Sequence, residues 1–573
     1  MEVFMEKNKY KPHEIKDIKD MVNKSAEMYA DEPAYIFKTL VPGNFDKITF
    51  KELKEQVDQL GTALLNLGLK GKRIGIISEN RYEWALAYLA IVSGVGVVVP
   101  LDHALTDIEI ENLVKRSEME AIFYSKNHDE CMNNLRKKAD NNVSKFISMD
   151  FETEYSGILS QKELLKEGEK LLEVGNDDFL KAEINAEEMG IMLFTSGTTA
   201  MSKAVMLSHK NLCTNVMDLR RTVYIGEGDR VLSFLPLHHT FEATASFLHS
   251  VYGGVTVAYC DGIRHMADNI KEYQITVLIT VPAVMENVYK KVWKNIEKQG
   301  KTSTVKKAIK ISRFLLKFGI DIRRKLFKEI HENFGGALKL AVVGAAAVDT
   351  EVEIGLADFG IRTIQGYGLT ETSPVVAVMK DGYTKVGSVG KALPSLKVKI
   401  ANPGENGVGE IIVKGDSVMI GYYQNEKANK EVFKDGWFYT GDLGYIDDEG
   451  YIFVKGRQKN VIVLKNGKNI FPEEIETLIN RIPGVKESFV YGKEDKADDL
   501  KVCAKVVYDK DAIKEEYGVE GEEEIKKILW EKIKEINKTM PTYKYVKELA
   551  ITEQEFVKTT TQKIKRHEEI KRV

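Results

Sequence analysis

The sequence predicts an α/β protein: a large N-terminal domain of parallel α/β layers with a small β-rich unit, then a small α+β C-terminal domain. Three observations carry this. Apolar β-branched runs alternate with amphipathic helical stretches, the pattern of strands joined by crossover helices. Beyond Gly387 the texture changes to short strands and closely spaced turns. At 573 residues the chain exceeds what one hydrophobic core usually supports.

The elements follow in order. The opening MEVFMEKNKYKPHEIKDIKD is charged throughout and lacks an apolar signal core. RIGIIS, from Arg73 to Ser78, predicts a buried strand; a helix follows at Glu83, then the strand VGVVVPL, a helix from Asp107 to Ser117, and the strand AIFYS. DRVLSFLPL, GGVTVAYC and ITVLITVP repeat the pattern, each followed by helical sequence, and LKLAVVGAAA runs into IRTIQGYGLTET. GKALPSLKVKIANPGENGVGEIIVKG reads as the β-rich unit. The chain ends in a compact stretch rich in Lys and Glu, so the boundary is placed near Gly456, with residues 1–455 and 456–573 as the two domains. Trp84 to Leu101 holds eighteen residues without a charge, the lower limit for a membrane span. Gly94 and Gly96 interrupt it, and it turns into a valine run, so it reads as a buried helix leading into a buried parallel strand.

Bulk charge excludes little else. Lys plus Arg total 83 against 86 for Asp plus Glu, which selects neither nucleic acid nor membrane. Cys131, Cys213, Cys260 and Cys503 form no CxxC pair, which argues against a local zinc knuckle and for a reducing cytoplasm.

The chemistry starts at Leu193 with LFTSGTTAMSKAVMLSHKN. MGIMLF before it reads as a strand and KNLCTNVMDLRR after it as a helix, the setting of a phosphate loop. Thr195, Ser196, Thr198 and Thr199 offer hydroxyls, Gly197 allows close approach of the chain, and Lys203 adds a point charge. The spacing from Gly197 to Lys203 matches a Walker A loop, but Ser202 replaces its second glycine and Ala204 its Ser/Thr, so a P-loop NTPase fits poorly. Farther on, GYGLTET supplies Tyr367, Thr370 and Glu371, GWFYTGDLGYID places Asp442 in a tight glycine turn, and GRQKN places Arg457 fifteen residues later. KTTTQKIKR near the C-terminus presents Lys563.

In this order and spacing the chain resembles the adenylate-forming (AMP-binding) superfamily, and within it the long-chain fatty acyl-CoA synthetases, from SENRYEWALAYLAI to QKIKR. The resemblance implies an adenylate-forming enzyme fold whose small domain is a mobile lid. It implies that the loop with Lys203 binds the β- and γ-phosphates of ATP, Tyr367 stacks on adenine, Thr370 contacts the α-phosphate and Glu371 holds Mg²⁺. Asp442 and Arg457 would bind the ribose, Lys563 would bridge carboxylate and α-phosphate, and His239 in LPLHHTFE would lie beside the acyl and thiol sites. His238 reads as structural. Lys459 would be the hinge, and Gly467 would face the pantetheine tunnel of CoA. The chemistry agrees: a carboxylate attacking the α-phosphorus of ATP brings two anions together, so the site must cancel charge.

The implied activity is an ATP-dependent acid–thiol ligase that makes a fatty acyl-adenylate and pyrophosphate, then passes the acyl group to CoA. Two alternatives stand: loading of a carrier-protein pantetheine, and a non-catalytic nucleotide-binding regulator. The regulator stays open because Ala200, Ser202 and Ala204 depart from the family's loop and VGAAAVD is poorer in glycine. Residues 301–328 hold ten basic residues against one acid, Asp321, with apolar residues at helical spacing. That is the pattern of a solvated surface helix or of a peripheral membrane contact on the inner face.

Overall fold

The alternation of strands and helices builds two parallel-rich sheets. The structure, a computed structural model, describes residues 9–572 apart from 40, 42, 139, 196–201, 384, 466–467, 495–499 and 560–562. The described residues fall into two compact units, one within Met1–Thr195, Lys203–Lys397 and Val413–Phe438, the other within Val398–Ile412 and Tyr439–Val573.

In the first unit, one sheet runs Gly421–Tyr422, Ala204–Ser208, Met189–Phe194, Val97–Pro100, Arg73–Ile77, Ala121–Tyr124, Lys145–Ser148, Leu159–Ser160. Its six strands from Met189–Phe194 to Leu159–Ser160 are parallel. Ile74, Ile76 and Ile77 are fully buried at its centre, as strands covered on both faces require. Helices Phe50–Asn66 and Asp107–Ser117 begin in capping boxes, Thr49 with Glu52 and Thr106 with Glu109, each satisfying two otherwise unpaired backbone N–H groups. The second sheet is parallel from Pro33–Lys38 through Thr256–Tyr259, Arg230–Ser233, Val277–Thr280 and Leu340–Val343 to Arg362–Gly368, with antiparallel strands at both edges.

The uncharged stretch from Trp84 resolves as read. Helix Tyr82–Ala90 runs into a π-helical turn, Ile91–Val95, and then strand Val97–Pro100. Gly94 takes φ 130°, a conformation open to glycine alone at little cost, and there the helix breaks. Among the described residues no helix is long and apolar enough to cross a membrane.

The second unit has a core of its own. Strands Val485–Glu494 and Leu500–Tyr508 pair antiparallel, and Val546–Thr552 joins Leu500–Tyr508 in parallel. Helices Pro472–Ile479 and Glu522–Asn537 lay Ile475, Ile479, Ile525, Leu529 and Ile533 on that sheet. The spacing of four between these residues gives each helix one apolar face.

Candidate active site

The hydroxyl-rich loop joins two paired strands. Met189–Phe194 pairs antiparallel with Ala204–Ser208, Phe194 lies opposite Ala204, and the Thr195 N–H donates to the Lys203 carbonyl at 2.9 Å. Helix His209–Thr222 starts only after the second strand, where the Ser208 hydroxyl accepts from the Asn211 N–H. The helix expected at KNLCTNVMDLRR is present, and the strand before it is what the sequence reading lacked: AVMLS buries Val205 and Leu207 completely, which a strand inside a sheet does readily. His209, the first residue of the helix, is buried against Gly190, and burial lowers its imidazole to about 4, so it is a neutral packing group. Thr195 and Lys203 frame the loop; Ser196, Gly197, Thr198, Thr199 and Ala200 lie outside the described residues, as does Gly467.

Glu371 and Thr370 occupy a 3₁₀ turn, Thr370–Thr372, directly after strand Arg362–Gly368, which carries the buried Tyr367. The strand Gly421–Tyr422 pairs with Ala204–Ser208 and sets Tyr422 opposite Val205, and the Met419 N–H donates to the Glu371 carbonyl at 2.8 Å. This register brings three groups together. The Tyr422 hydroxyl donates to Glu371 Oε1 at 2.8 Å, and Lys203 Nζ lies 4.5 Å from the centre of the same ring. A carboxylate and an ammonium are thus held on one tyrosine beside the closing pair of the loop, oriented by a charge-assisted hydrogen bond and a cation–π contact. Thr240 Oγ1 donates to Thr370 Oγ1 at 3.1 Å, tying the turn to the HHTFE segment. Sequence reading missed Tyr422 and Thr240, which lie 51 and 130 residues from their partners.

His239 follows strand Arg230–Ser233 and precedes a π-helical segment, Phe241–Leu248, an element that often marks functional sites. Its Nδ1 accepts from the Phe241 N–H at 3.3 Å, which fixes the ring's orientation. The neighbouring His238, read from the sequence as structural, is 13% exposed. Burial lowers its imidazole to about 4, against the opposing pull of Asp102 at 3.6 Å.

In the second unit, Asp442 is not in a turn. It sits within strand Trp437–Ile446, in register with Arg457 on Ile452–Arg457. The glycines misled the reading: Gly441 takes φ 71° yet the strand continues through it, with its N–H donating to Glu410 Oε1 at 2.9 Å. Arg457 Nε lies 3.0 Å from Asp442 Oδ1, a nearly buried carboxylate beside a half-exposed guanidinium. Lys459 is exposed in the 3₁₀ turn Gln458–Asn460 that follows.

Lys563 is exposed, and its backbone pairs with that of Thr559. The Thr559 N–H donates to its carbonyl at 2.8 Å, its own N–H donates to Thr559 Oγ1 at 3.2 Å, and Lys558 bridges Ile564. The residues after Lys563 are anchored. Ile564 packs on Phe489 and Phe556, while Arg566 Nη2 reaches both oxygens of the buried Glu476 at 2.6 and 2.5 Å. Burial pushes the Glu476 carboxyl up to about 7 although Arg566 pulls it down.

Among the described residues there is no cluster of three or more His, Cys, Asp and Glu side chains fit to hold a metal alone. A Mg²⁺ ion that arrives on nucleotide phosphates needs only one or two protein carboxylates and keeps its waters. Glu371 suits that role, because Tyr422 occupies Oε1 and fixes the carboxylate.

The AMP-binding enzyme family model matches residues 22–423, and that of the AMP-binding enzyme C-terminal domain matches residues 459–572. The chain belongs to the AMP-binding enzyme family. This AMP-binding enzyme is 28% identical over 487 residues to long-chain-fatty-acid–CoA ligase FadD15 of Mycobacterium bovis, covering 81% of this chain and 78% of that one. It is 30% identical over 480 residues to long-chain-fatty-acid–CoA ligase 5 of Mus musculus, covering 78% and 69%. Its fold matches the crystal structure of the anthranilate CoA ligase AuaEII in complex with anthranoyl-AMP, with a TM-score of 0.76 at 19% identity over 97% of both chains. The adenylate-forming enzyme fold is therefore present, with a large parallel-sheet domain and a smaller C-terminal one. By class the AMP-binding enzyme is an AMP-forming acid–thiol ligase, an acyl-CoA synthetase.

Proposed function

We propose that this enzyme adenylates a medium- or long-chain fatty acid with ATP and transfers the acyl group to CoA. The observation that carries the reading is the Lys203–Tyr422–Glu371 assembly beside the hydroxyl-rich loop. One cation and one fixed carboxylate on the same tyrosine support the reading, because a triphosphate with its metal needs both. The fatty-acid preference is supported by the names of the ligases above.

In this proposal Thr195 to Thr199 and Lys203 hold the β- and γ-phosphates, Tyr367 lies against adenine, and Asp442 with Arg457 takes the ribose hydroxyls. Thr370, oriented by Thr240, contacts the α-phosphate. Glu371 holds Mg²⁺, which supplies charge neutralisation across the phosphates when bound. The fatty carboxylate attacks the α-phosphorus, pyrophosphate leaves, and Lys563 steadies both anions as they approach. In the second step the thiol of CoA attacks the acyl carbonyl and AMP leaves, with His239 at the acyl and thiol sites. Lys459 is the hinge and Gly467 lines the pantetheine path as residues 456–573 move as a lid.

The test is product analysis by mass spectrometry with ATP, Mg²⁺ and CoA against acetate, octanoate, palmitate and an aryl acid. Equal amounts of AMP and acyl-CoA from octanoate or palmitate are expected. Turnover of acetate or the aryl acid alone would overturn the fatty-acid reading. Acyl transfer to a pantetheinylated carrier protein but not to CoA would replace the acceptor.

A further inference from the structure

Helix Thr302–Leu316 has two unlike faces. Inward, Val305, Ala308 and Ile309 pack on the buried Ile296, Phe327 and Phe359, and Ser312 is buried with its hydroxyl donating to the Ile309 carbonyl. Outward, Ile311 and Phe314 are 56% and 60% exposed, and just beyond the helix Phe318 and Ile320 are 67% and 50% exposed. The Phe314 and Phe318 rings meet edge to face at 5.2 Å, so the aromatic pair is preformed. Single exposed apolar residues are ordinary, but six of the nineteen large ones exposed among the described residues crowd between Ile311 and Leu326. Such crowding marks an interface.

Charge selects what the interface meets. The helix contains no Asp or Glu, and Lys306, Lys307, Lys310 and Lys317 are exposed with no ion pair among the described residues. Spacings of three and four put Lys307, Ile311, Phe314 and Phe318 in one stripe, with Lys310 and Lys317 beside it. Arg313 is different: it is tied to Asp358 by two hydrogen bonds of 2.6 Å and belongs to the body of the fold. Two copies meeting through this face would set lysine against lysine. An acidic folded protein would answer the lysines but offers little depth for four large apolar side chains. A negatively charged bilayer answers both, because phenylalanine and isoleucine enter the acyl boundary while lysine stems carry their ammonium groups among the phosphates.

We infer that this face docks the enzyme on an anionic phospholipid bilayer. The apolar stripe Ile311–Phe314–Phe318 inserts, and Lys306, Lys307, Lys310 and Lys317 contact the headgroups. This position delivers a water-insoluble acid to an enzyme from the phase in which it dissolves. Docking itself requires no turnover.

The test is sedimentation of the full chain with vesicles of phosphatidylcholine alone or with 30 mol% phosphatidylglycerol. Binding to the mixed vesicles, weakened by salt, is expected. The triple change K306Q/K307Q/K310Q should lower the partition coefficient about a hundredfold, at about fivefold per lysine. F314A/F318A should lower it by a further separate factor of about ten or more. All five side chains are exposed, so circular dichroism and thermal melting should match wild type and exclude misfolding. Equal binding to both vesicle types, or binding indifferent to both sets of changes, would overturn the inference. So would vesicle-free dimerisation, or capture of an acidic carrier protein, abolished by the same changes without any vesicle binding.

Discussion

Replacing Glu242 by Gln should make this enzyme more stable, and by an amount that grows with pH. Glu242 is the second residue of the π-helical segment Phe241–Leu248 and is 1% exposed. Neither carboxyl oxygen reaches a well-aligned partner among the described residues, and burial outweighs the nearby Ser233 and Ser246 hydroxyls to push the group up to about 8. Its ordinary value is 4.5. Between these values the native protein holds a proton that the unfolded chain releases. The stability the protonated acid confers is complete below 4.5 and is lost as pH rises through 8. At about 1.4 kcal/mol per pH unit, the gap between Glu242→Gln and wild type should widen by about 2.5 kcal/mol from pH 5.5 to 7.5. The amide's own mismatch adds a constant that does not change with pH, so the slope is the test. Urea unfolding can be followed by tryptophan fluorescence, because the fully buried Trp84 lies 6.0 Å from Phe247 of the same segment. A gap that stays flat between the two pH values would refute the reasoning.

Three further outcomes follow from the same contacts. Tyr422→Phe removes the hydroxyl on Glu371 and should raise the KM for MgATP by about tenfold, at about 1.5 kcal/mol for a hydrogen bond to a charged group, with thermal stability nearly unchanged. Arg566→Met strands the buried Glu476 and frees the segment that carries Lys563; it should destabilise the second unit by about 3 kcal/mol in a chemical melt, and the added change Glu476→Gln should restore part of this. Ala345→Gly should raise stability by about 1 kcal/mol, readable as a shift in the denaturation midpoint, because Ala345 holds φ 73°, where a β-carbon is strained.

What the sequence shows plainly is what local chemistry decides. Arg73–Ile77, Ala121–Tyr124 and Leu340–Val343 are runs of apolar residues that only a covered sheet can bury, and Asp107–Ser117 starts at a capping box readable as TDIE. Ala204–Ser208 escaped because this five-residue run lies between the loop and the helix KNLCTNVMDLRR and is too short to show a period of its own. The pairing of Tyr422 with Glu371 and of Arg566 with Glu476 joins residues 51 and 90 positions apart, and only the folded sheet registers bring them together. For residues 301–328, composition left two readings open, a solvated surface helix and a peripheral membrane contact; the exposed Phe314 and Phe318 are what support the bilayer proposal.

The most direct test of the adenylation chemistry is acid-dependent exchange of pyrophosphate into ATP, measured for wild type and Lys563→Ala with acetate, octanoate, palmitate and an aryl acid. The account predicts exchange with the fatty acids and a fall of about 10²–10³-fold in the variant, the cost of losing one preorganised charge at the transition state. Measurable ATP binding with no exchange for any acid, or exchange indifferent to Lys563, would contradict it.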